Sequence, residues 1–269
     1  MKAQISIIGC GWLGLPLAKH LLKEGFVVKG STTSNTKLKA LKSHGILPYV
    51  IALHEDKISG NYAEFLKGSD TLIINVPPGL RKNPNKNHTK EILQLLNVVA
   101  LSTVKNILFI SSISVYKDDT DFSKITETIL PNTNSNNGQQ LIEIEELLLN
   151  PKNNNTTILR FGGLFDEERH PGLFLSKKTT NTNPEAPINL IHKYDCIGII
   201  TAVLKKEIWN ATFNAVYPLH PNKKDYYTNY CLKREMTVPK FNESEKSKGK
   251  LIDSSKLVQI LNYKFKQAP

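Results

Sequence analysis

The stretch Gly9-Cys10-Gly11-Trp12-Leu13-Gly14 constrains this chain more than any other, because of what flanks it. Before it, Ile5–Ile8 is a short, isoleucine-rich run of the kind that makes a buried strand. After it, Leu13, Leu17, Leu21 and Leu22 recur at helical spacing, and Gly25 closes the helix. The glycines between form GxGxxG at a strand-to-helix turn. In such a turn the first glycine permits the tight bend. The second lets the backbone approach a pyrophosphate, and the third lets the helix pack close to the sheet. The helix start then offers N–H groups and a partial positive charge to phosphate. The spacing predicts a βαβ unit that holds a dinucleotide against Gly9, Gly11, Trp12, Leu13 and Gly14.

The same alternation continues for about 160 residues. Strands are expected at Phe26–Lys29, Ile46–Leu53, Thr71–Val76 (stopped by Pro77-Pro78), Asn106–Ser111 and Thr157–Phe161. Between them lie a short polar helix through Leu38 and Leu41, an amphipathic helix over 88–102 and a helix over 138–149. Strand–helix alternation implies right-handed crossovers and a parallel sheet covered on both faces. The fold expected is therefore α/β: a Rossmann-type doubly wound parallel sheet with a smaller C-terminal α/β substrate-side region. The expected division is a dinucleotide-binding domain over 1–165 and a mainly substrate-side region over 166–269, with segments returning to the sheet. In that second part 166–190 reads as loop, 194–206 as helix, 211–216 as strand, and 223–235 and 254–262 as helices. The Asn-rich stretches 132–137 and 153–155 read as surface loops.

Composition narrows the partners. Of 269 residues, 40% are apolar and 22% charged, as in ordinary soluble globular proteins. The sequence contains no apolar run long enough to span a membrane. Three dispersed cysteines, Cys10, Cys196 and Cys231, fit neither a disulfide framework nor a CxxC metal site, so a cytoplasmic address is expected. The seven histidines form no HxH or HExxH pair, and no metal is expected. The formal charge of +11 is scattered, with local crowding at 37–42 and 240–250. No recognition helix, RNP-type motif or zinc spacing accompanies it, so specific nucleic-acid binding is not expected. The charge reads first as a solvated basic surface, and it would also suit an anionic, phosphate-bearing ligand.

Strand two should show which dinucleotide binds. An acidic residue at its end would hold the ribose 2′-OH of NAD. The sequence offers Lys29-Gly30-Ser31-Thr32-Thr33-Ser34, then Lys37, and no carboxylate. Hydroxyls and a lysine favour the 2′-phosphate of NADP over NAD, with Ser31, Thr32 and Thr33 as contacts. The alternative is that these residues only cap the next helix. Asn75 and Pro77 at the end of the 71–76 strand, and Ser111 at the end of the 106–111 strand, complete the expected cofactor contacts.

Five segments in order carry a family resemblance. They are the glycine turn, "ILFISSISVY" (107–116), "ILRFGGLFDEERHPG" (158–172), "NLIHKYDCIGII" (189–200) and "GKLIDSSKLVQILNYKF" (249–265). Together they resemble an atypical extended short-chain dehydrogenase/reductase of the NAD-dependent epimerase/dehydratase superfamily, in its YeeZ-like branch. The resemblance implies a nicotinamide cofactor and chemistry on a small polar, nucleotide-linked substrate. It makes Ser112 the hydroxyl that binds the reacting oxygen, with capping of the strand end as the alternative. It also places Arg169 where a guanidinium could bind substrate phosphate, with an ordinary surface ion pair as the alternative. Arg160 reads as structural.

One part of the family pattern is missing. Its Tyr-x-x-x-Lys pair, with tyrosine as general acid/base and lysine lowering its pKa and binding the nicotinamide ribose, falls on Asn137 and Leu141. None of the nine tyrosines has a lysine four residues later. Asn cannot titrate, and losing general acid/base catalysis costs about a hundred- to ten-thousand-fold in rate. Tyr116, Tyr194 and His192 are the substitute candidates; each also has a packing role to weigh against. Two readings follow: an NAD(P)-dependent oxidoreductase, epimerase or dehydratase with a non-standard acid/base, or an NADP(H)-holding sensor or scaffold without turnover. A homodimer is left open.

Overall fold

The computed structural model describes residues 3–150 and 154–269. In chain order the elements are β1 (Gln4–Ile8), α1 (Gly14–Lys23), β2 (Val27–Thr32), α2 (Leu38–Ser43), β3 (Leu47–Leu53), β4 (Ile58–Gly60), α3 (Tyr62–Leu66), β5 (Thr71–Ile74), α4 (His88–Val99) and β6 (Asn106–Ser112). They continue with β7 (Lys124–Ile125), α5 (Asn136–Leu149), β8 (Asn155–Phe161), β9 (Gly163–Phe165), α6 (Gly172–Leu175) and β10 (Leu190–His192). The last are α7 (Lys193–Lys206), β11 (Ala211–Ala215), α8 (Lys223–Leu232), β12 (Leu251–Ile252) and α9 (Ser255–Leu261).

Among the described residues the main sheet has eight strands in the order β11-β8-β6-β5-β1-β2-β3-β4. β1 pairs in parallel with β2 on one side and β5 on the other, and the parallel run extends to β3 and β6. The strand order therefore reverses at β1. An open α/β sheet binds its ligand at such a switch point, beyond the carboxyl ends of the strands. This is the Rossmann-type α/β fold that the sequence predicts. Ile5, Ile7, Ile8, Leu72, Ile73, Ile74, Leu108 and Phe109 are all within 2% of full burial, as expected of parallel strands covered on both faces.

The helix ends follow their local chemistry. Gly25 (φ +92°) and Gly45 (φ +81°) close α1 and α2 in the left-handed region. There Phe26 N–H donates to Leu21 O at 3.1 Å, and Ile46 N–H donates to Leu41 O at 3.2 Å. Asn87 caps α4 by accepting from Lys90 N–H at 2.9 Å. Ser135 caps α5 by accepting from Gly138 N–H at 3.2 Å.

Several boundaries differ from the sequence reading. β2 runs to Thr32 rather than Lys29, because it pairs with β3 as far as Thr32↔Val50. Asn136 and Asn137 belong to α5, since the cap is Ser135 and not a later residue. Of the loop expected at 153–155, residue 153 lies outside the described residues, and Asn155 already opens β8. The expected loop 166–190 contains the short α6. An antiparallel edge strand, β4, and a one-turn helix, α3, stand between β3 and β5. No helix among the described residues is long and apolar enough to cross a membrane.

The chain forms two compact units. The first comprises residues 1–112, 135–159 and 200–212, and the second 113–134, 160–199 and 213–269. In the first unit, α4 packs against both α3 and α5. In the second, two small parallel pairs form, β9 with β10 and β7 with β12. Beside the first of these pairs, Phe165, Ile188, Leu190 and Tyr227 make a local core.

Candidate functional site

The glycine turn lies in the first unit, at the carboxyl end of β1. Gly9 has φ +100°, a conformation that a side chain disfavours. A Cβ on it would stand 2.5 Å from Asn75 O. A Cβ on Gly14 would stand 2.2 Å from Gly9 O and 2.9 Å from Asn75 Nδ2. A Cβ on Gly11 would meet nothing within 4 Å. Two of the glycines are thus required by the protein's own packing. Gly11 is not, and its exposed backbone faces open space beyond the switch point. These are the separate roles that a dinucleotide-binding turn assigns to its three glycines.

Hydrogen bonds fix the turn to both neighbouring strands. Gly9 N–H donates to Ser31 Oγ at 3.1 Å, and Cys10 N–H donates to Ser31 O at 2.9 Å. Asn75 Nδ2 donates to Gly9 O at 3.0 Å, and Asn75 N–H to Ile8 O at 3.0 Å. No side chain caps α1 at Leu13. Its first turn therefore carries the helix dipole's positive end toward the same edge. Burial pushes the Cys10 thiol up to about 12, against a weaker pull from the Ser31 backbone. Cys10 is thus inert packing under the turn.

The structure brings Gly9, Gly11, Trp12, Leu13, Gly14, Ser31 and Asn75 together at this edge. Thr32 is buried and its Oγ1 accepts from Ser34 N–H at 3.2 Å, while Thr33 is exposed beside it. Lys29 faces away: it is 6% exposed, and its Nζ donates to Glu64 O and Lys67 O at 2.6 and 2.7 Å. Beyond β2, Lys37 is exposed at the end of a short 3-10 turn. Pro77 follows β5 on the strand next to β1. Ser111 lies two residues past Phe109, the partner of Ile74 in the β5–β6 pairing. The buried Ser111 hydroxyl donates to Glu145 Oε1 on α5 at 2.5 Å. Ser112 is the last residue of β6. Asn137 and Leu141 stand one turn apart on α5, with Leu141 buried.

A further cluster in this unit was not singled out by sequence. Glu91, 5% exposed at the start of α4, accepts from His88 Nδ1 at 2.8 Å and pairs with Lys86 Nζ at 2.8 Å. Burial opposes Glu91's charge, but the bonds to His88 and Lys86 outweigh it and hold its carboxyl below the usual range. The sequence signal available was the Lys-x-His-x-x-Glu spacing, which places His88 and Glu91 on one helical face.

The remaining candidates lie in the second unit. Tyr116 is 1% exposed; its hydroxyl accepts from Arg160 Nη1 at 2.5 Å and donates to Asn214 Oδ1 at 3.2 Å. Burial raises its pKa, only partly offset by Arg160 and Asn214. His192 is buried, accepts from Tyr194 N–H through Nδ1 at 3.1 Å, and holds Nε2 at 3.4 Å from Glu167 Oε1. Tyr194 is 60% exposed. Arg169 is exposed, with its N–H donating to Asp166 Oδ1 at 2.7 Å. Asp195 is fully buried and accepts from Tyr263 Oη, Lys266 N–H and Gln267 N–H at 2.9–3.0 Å, tying down the chain's last segment. A cavity of about 480 Å³ opens within this unit, lined by Phe165, His170, His192, Tyr226 and Arg234 among others. Among the described residues no group of three or more His, Cys, Asp and Glu could hold a metal ion.

The sequence matches the NAD(P)H-binding family over residues 9–189, a span that starts at the glycine turn. The chain belongs to that family. It is 31% identical over 264 residues to protein YeeZ of Escherichia coli K12, covering 97% of this chain and 95% of YeeZ. Among solved structures, a UDP-N-acetylglucosamine 4-epimerase from Bacillus cereus superposes with TM-score 0.79 at 17% identity, covering 99% of this chain and 92% of the epimerase. A short-chain dehydrogenase/reductase superfamily protein from Agrobacterium tumefaciens, solved with bound NAD, gives TM-score 0.78 at 16% identity and covers 98% of this chain and 94% of its own. The chain shares the fold of these two structures, and the cofactor that its family binds is a nicotinamide dinucleotide.

Proposed function

We propose that the chain is an NADP(H)-dependent oxidoreductase or epimerase acting on a small polar, nucleotide-linked substrate in the cytoplasm, with an acid/base other than Tyr-x-x-x-Lys. The observation that carries the reading is the contrast among the three glycines: two are needed by the fold, and Gly11 is needed only by a ligand. The residues fit a dinucleotide. The Gly11 backbone and the start of α1 receive the pyrophosphate. Ser31, Thr32 and Thr33 lie toward the adenosine ribose, and Lys37 offers a cation to a 2′-phosphate where an NAD site would carry a carboxylate.

Bound there, a nicotinamide dinucleotide supplies hydride chemistry at a carbinol or carbonyl carbon. The protein must then move a proton at the substrate oxygen. Ser112, at the carboxyl end of β6, is suited to hold that oxygen. Tyr116 is poorly placed to exchange the proton, because its buried hydroxyl already serves Arg160 and Asn214. His192 and Tyr194 remain the candidates for that step, and Arg169 for a substrate phosphate.

The second reading is a dinucleotide-binding sensor without turnover. It is favoured by Leu141, an apolar side chain packed into the core where a catalytic cation would stand. Incubating the protein with NADPH or NAD and a panel of nucleotide sugars, with absorbance and mass detection, separates the two. Turnover that survives Asn137→Ala supports the enzyme. No turnover across the panel, with dinucleotide binding intact, supports the sensor.

A further inference from the structure

The cluster Lys86–Glu91–His88 has no role in the glycine turn, and it is costly to keep. Glu91 is a carboxylate almost removed from water, a position that is unfavourable unless charge and hydrogen bonds compensate. His88 is 1% exposed, and its Nε2 has no hydrogen-bond partner among the described residues. With Nδ1–H donated to Glu91, this ring orients the carboxylate that in turn holds the Lys86 ammonium. Lys86 keeps about a quarter of its side chain exposed while its ammonium is anchored on Glu91.

The backbone around Lys86 is fixed as carefully. Gln140, next to Leu141 on α5, donates through Nε2 to Lys86 O at 3.1 Å and accepts from His88 N–H at 2.7 Å. Asn136 Nδ2 donates to Pro84 O at 3.4 Å. The loop between β5 and α4 is thereby bound to the first turns of α5. Its other end is Gly79 (φ +76°), just past Pro77-Pro78, and Lys86 Nζ lies 3.8 Å from where a Gly79 Cβ would be.

This location has a specific meaning in a switch-point site. A dinucleotide lies across the crevice, one half over each side of the reversed strand order. Ser31 and Thr32, at the end of β2, and the segment from there to Lys37 occupy the side of the adenosine half. The loop beyond β5 therefore belongs to the nicotinamide half. We infer that Lys86 is a cation of the nicotinamide-ribose subsite, held by Glu91 and His88 as positioning residues, on the loop that Gln140, next to Leu141, ties to α5. The inference rests on the dinucleotide-binding reading above. The ammonium donates hydrogen bonds to ribose hydroxyls, which a leucine cannot do.

The test compares two ligands on the full chain: NADP, and adenosine 2′-phosphate 5′-diphosphate, which ends at the pyrophosphate. Lys86→Met is expected to weaken NADP about tenfold or more and to leave the fragment within twofold. Glu91→Gln, which frees the lysine without removing it, is expected to weaken NADP in the same selective way. Lys86→Arg is expected to recover most of the affinity. Equal loss for both ligands, or no loss for either, overturns the inference while leaving dinucleotide binding in place. If the unaltered protein binds neither ligand, the binding reading fails and this inference fails with it. Melting curves of the variants exclude loss of fold as the cause.

Discussion

Substituting the glycines one at a time separates what the fold needs from what the ligand needs. In Gly14→Ala the new methyl stands 2.2 Å from Gly9 O and 2.9 Å from Asn75 Nδ2, and the first of these is rigid backbone. The clash can be relieved only by shifting α1 or the turn. Overpacking of this kind costs about 1–3 kcal/mol. At about 2–4 °C per kcal/mol for a chain near this size, the melting temperature falls by about 2–12 °C. In Gly11→Val the side chain enters open space, because no atom lies within 4 Å of its Cβ. Stability should change by no more than about 0.5 kcal/mol. The pyrophosphate, however, loses its place. A ligand at a hundred times its Kd stabilises the unaltered protein by about 2.7 kcal/mol, or about 5–11 °C. Gly11→Val should melt like the unaltered protein without NADP and show none of that rise with it. A Gly11→Val protein that keeps the NADP-induced rise, or that is destabilised as much as Gly14→Ala, would refute the assignment.

Two further outcomes test the second unit. His170 Nδ1 accepts from Gly172 N–H at 3.1 Å, its ring stacks on Tyr230 at 3.6 Å, and burial, aided by Arg234, lowers its pKa to about 4. The folded protein therefore resists a proton that the unfolded chain takes up near 6.5. Stability from this group is fully present above about pH 6.5 and is lost as pH falls toward 4. Chemical denaturation across that range should show the slope, and His170→Asn should flatten it; an unchanged slope would contradict the assignment. Asp195→Ala removes a carboxylate that accepts three hydrogen bonds in the core, each worth about 1.5–3 kcal/mol. Hydrogen exchange should show the segment after Tyr263 losing protection; full protection would show that other contacts hold it.

The N-terminal half was legible because its signals are local and redundant. A buried apolar run, a glycine turn and a 3.6-residue leucine spacing agree over Ile5–Leu22, and each would be costly to satisfy otherwise. The same holds for α4 and β6. What escaped was structure made by pairing rather than by pattern. β4 has three residues and β7 and β12 two each, too few for any periodicity to register. Gly60 did carry a signal. At φ +101°, with its Cβ position 1.9 Å from Val50 O, only glycine fits beside β3. At the site, the glycines and Ser31 were readable because turn chemistry is local. The direction of Lys29 was not, because it depends on which face of β2 covers α3. The pairing of Lys86 with Glu91 was half visible in the spacing, but its burial depends on α5 closing over it.

On the proposed reading, Gly11 and its neighbours hold a nicotinamide dinucleotide, and the hydroxyls of Ser31, Thr32 and Thr33, with Lys37, select the phosphorylated one. Isothermal titration of the purified full chain with NADP and with NAD, at one salt concentration and pH, measures both parts. Saturable one-to-one binding of either ligand is expected, with the smaller Kd for NADP. No binding of either dinucleotide at millimolar concentration would contradict the assignment of the site, and tighter binding of NAD would contradict the reading of the Ser31–Lys37 segment.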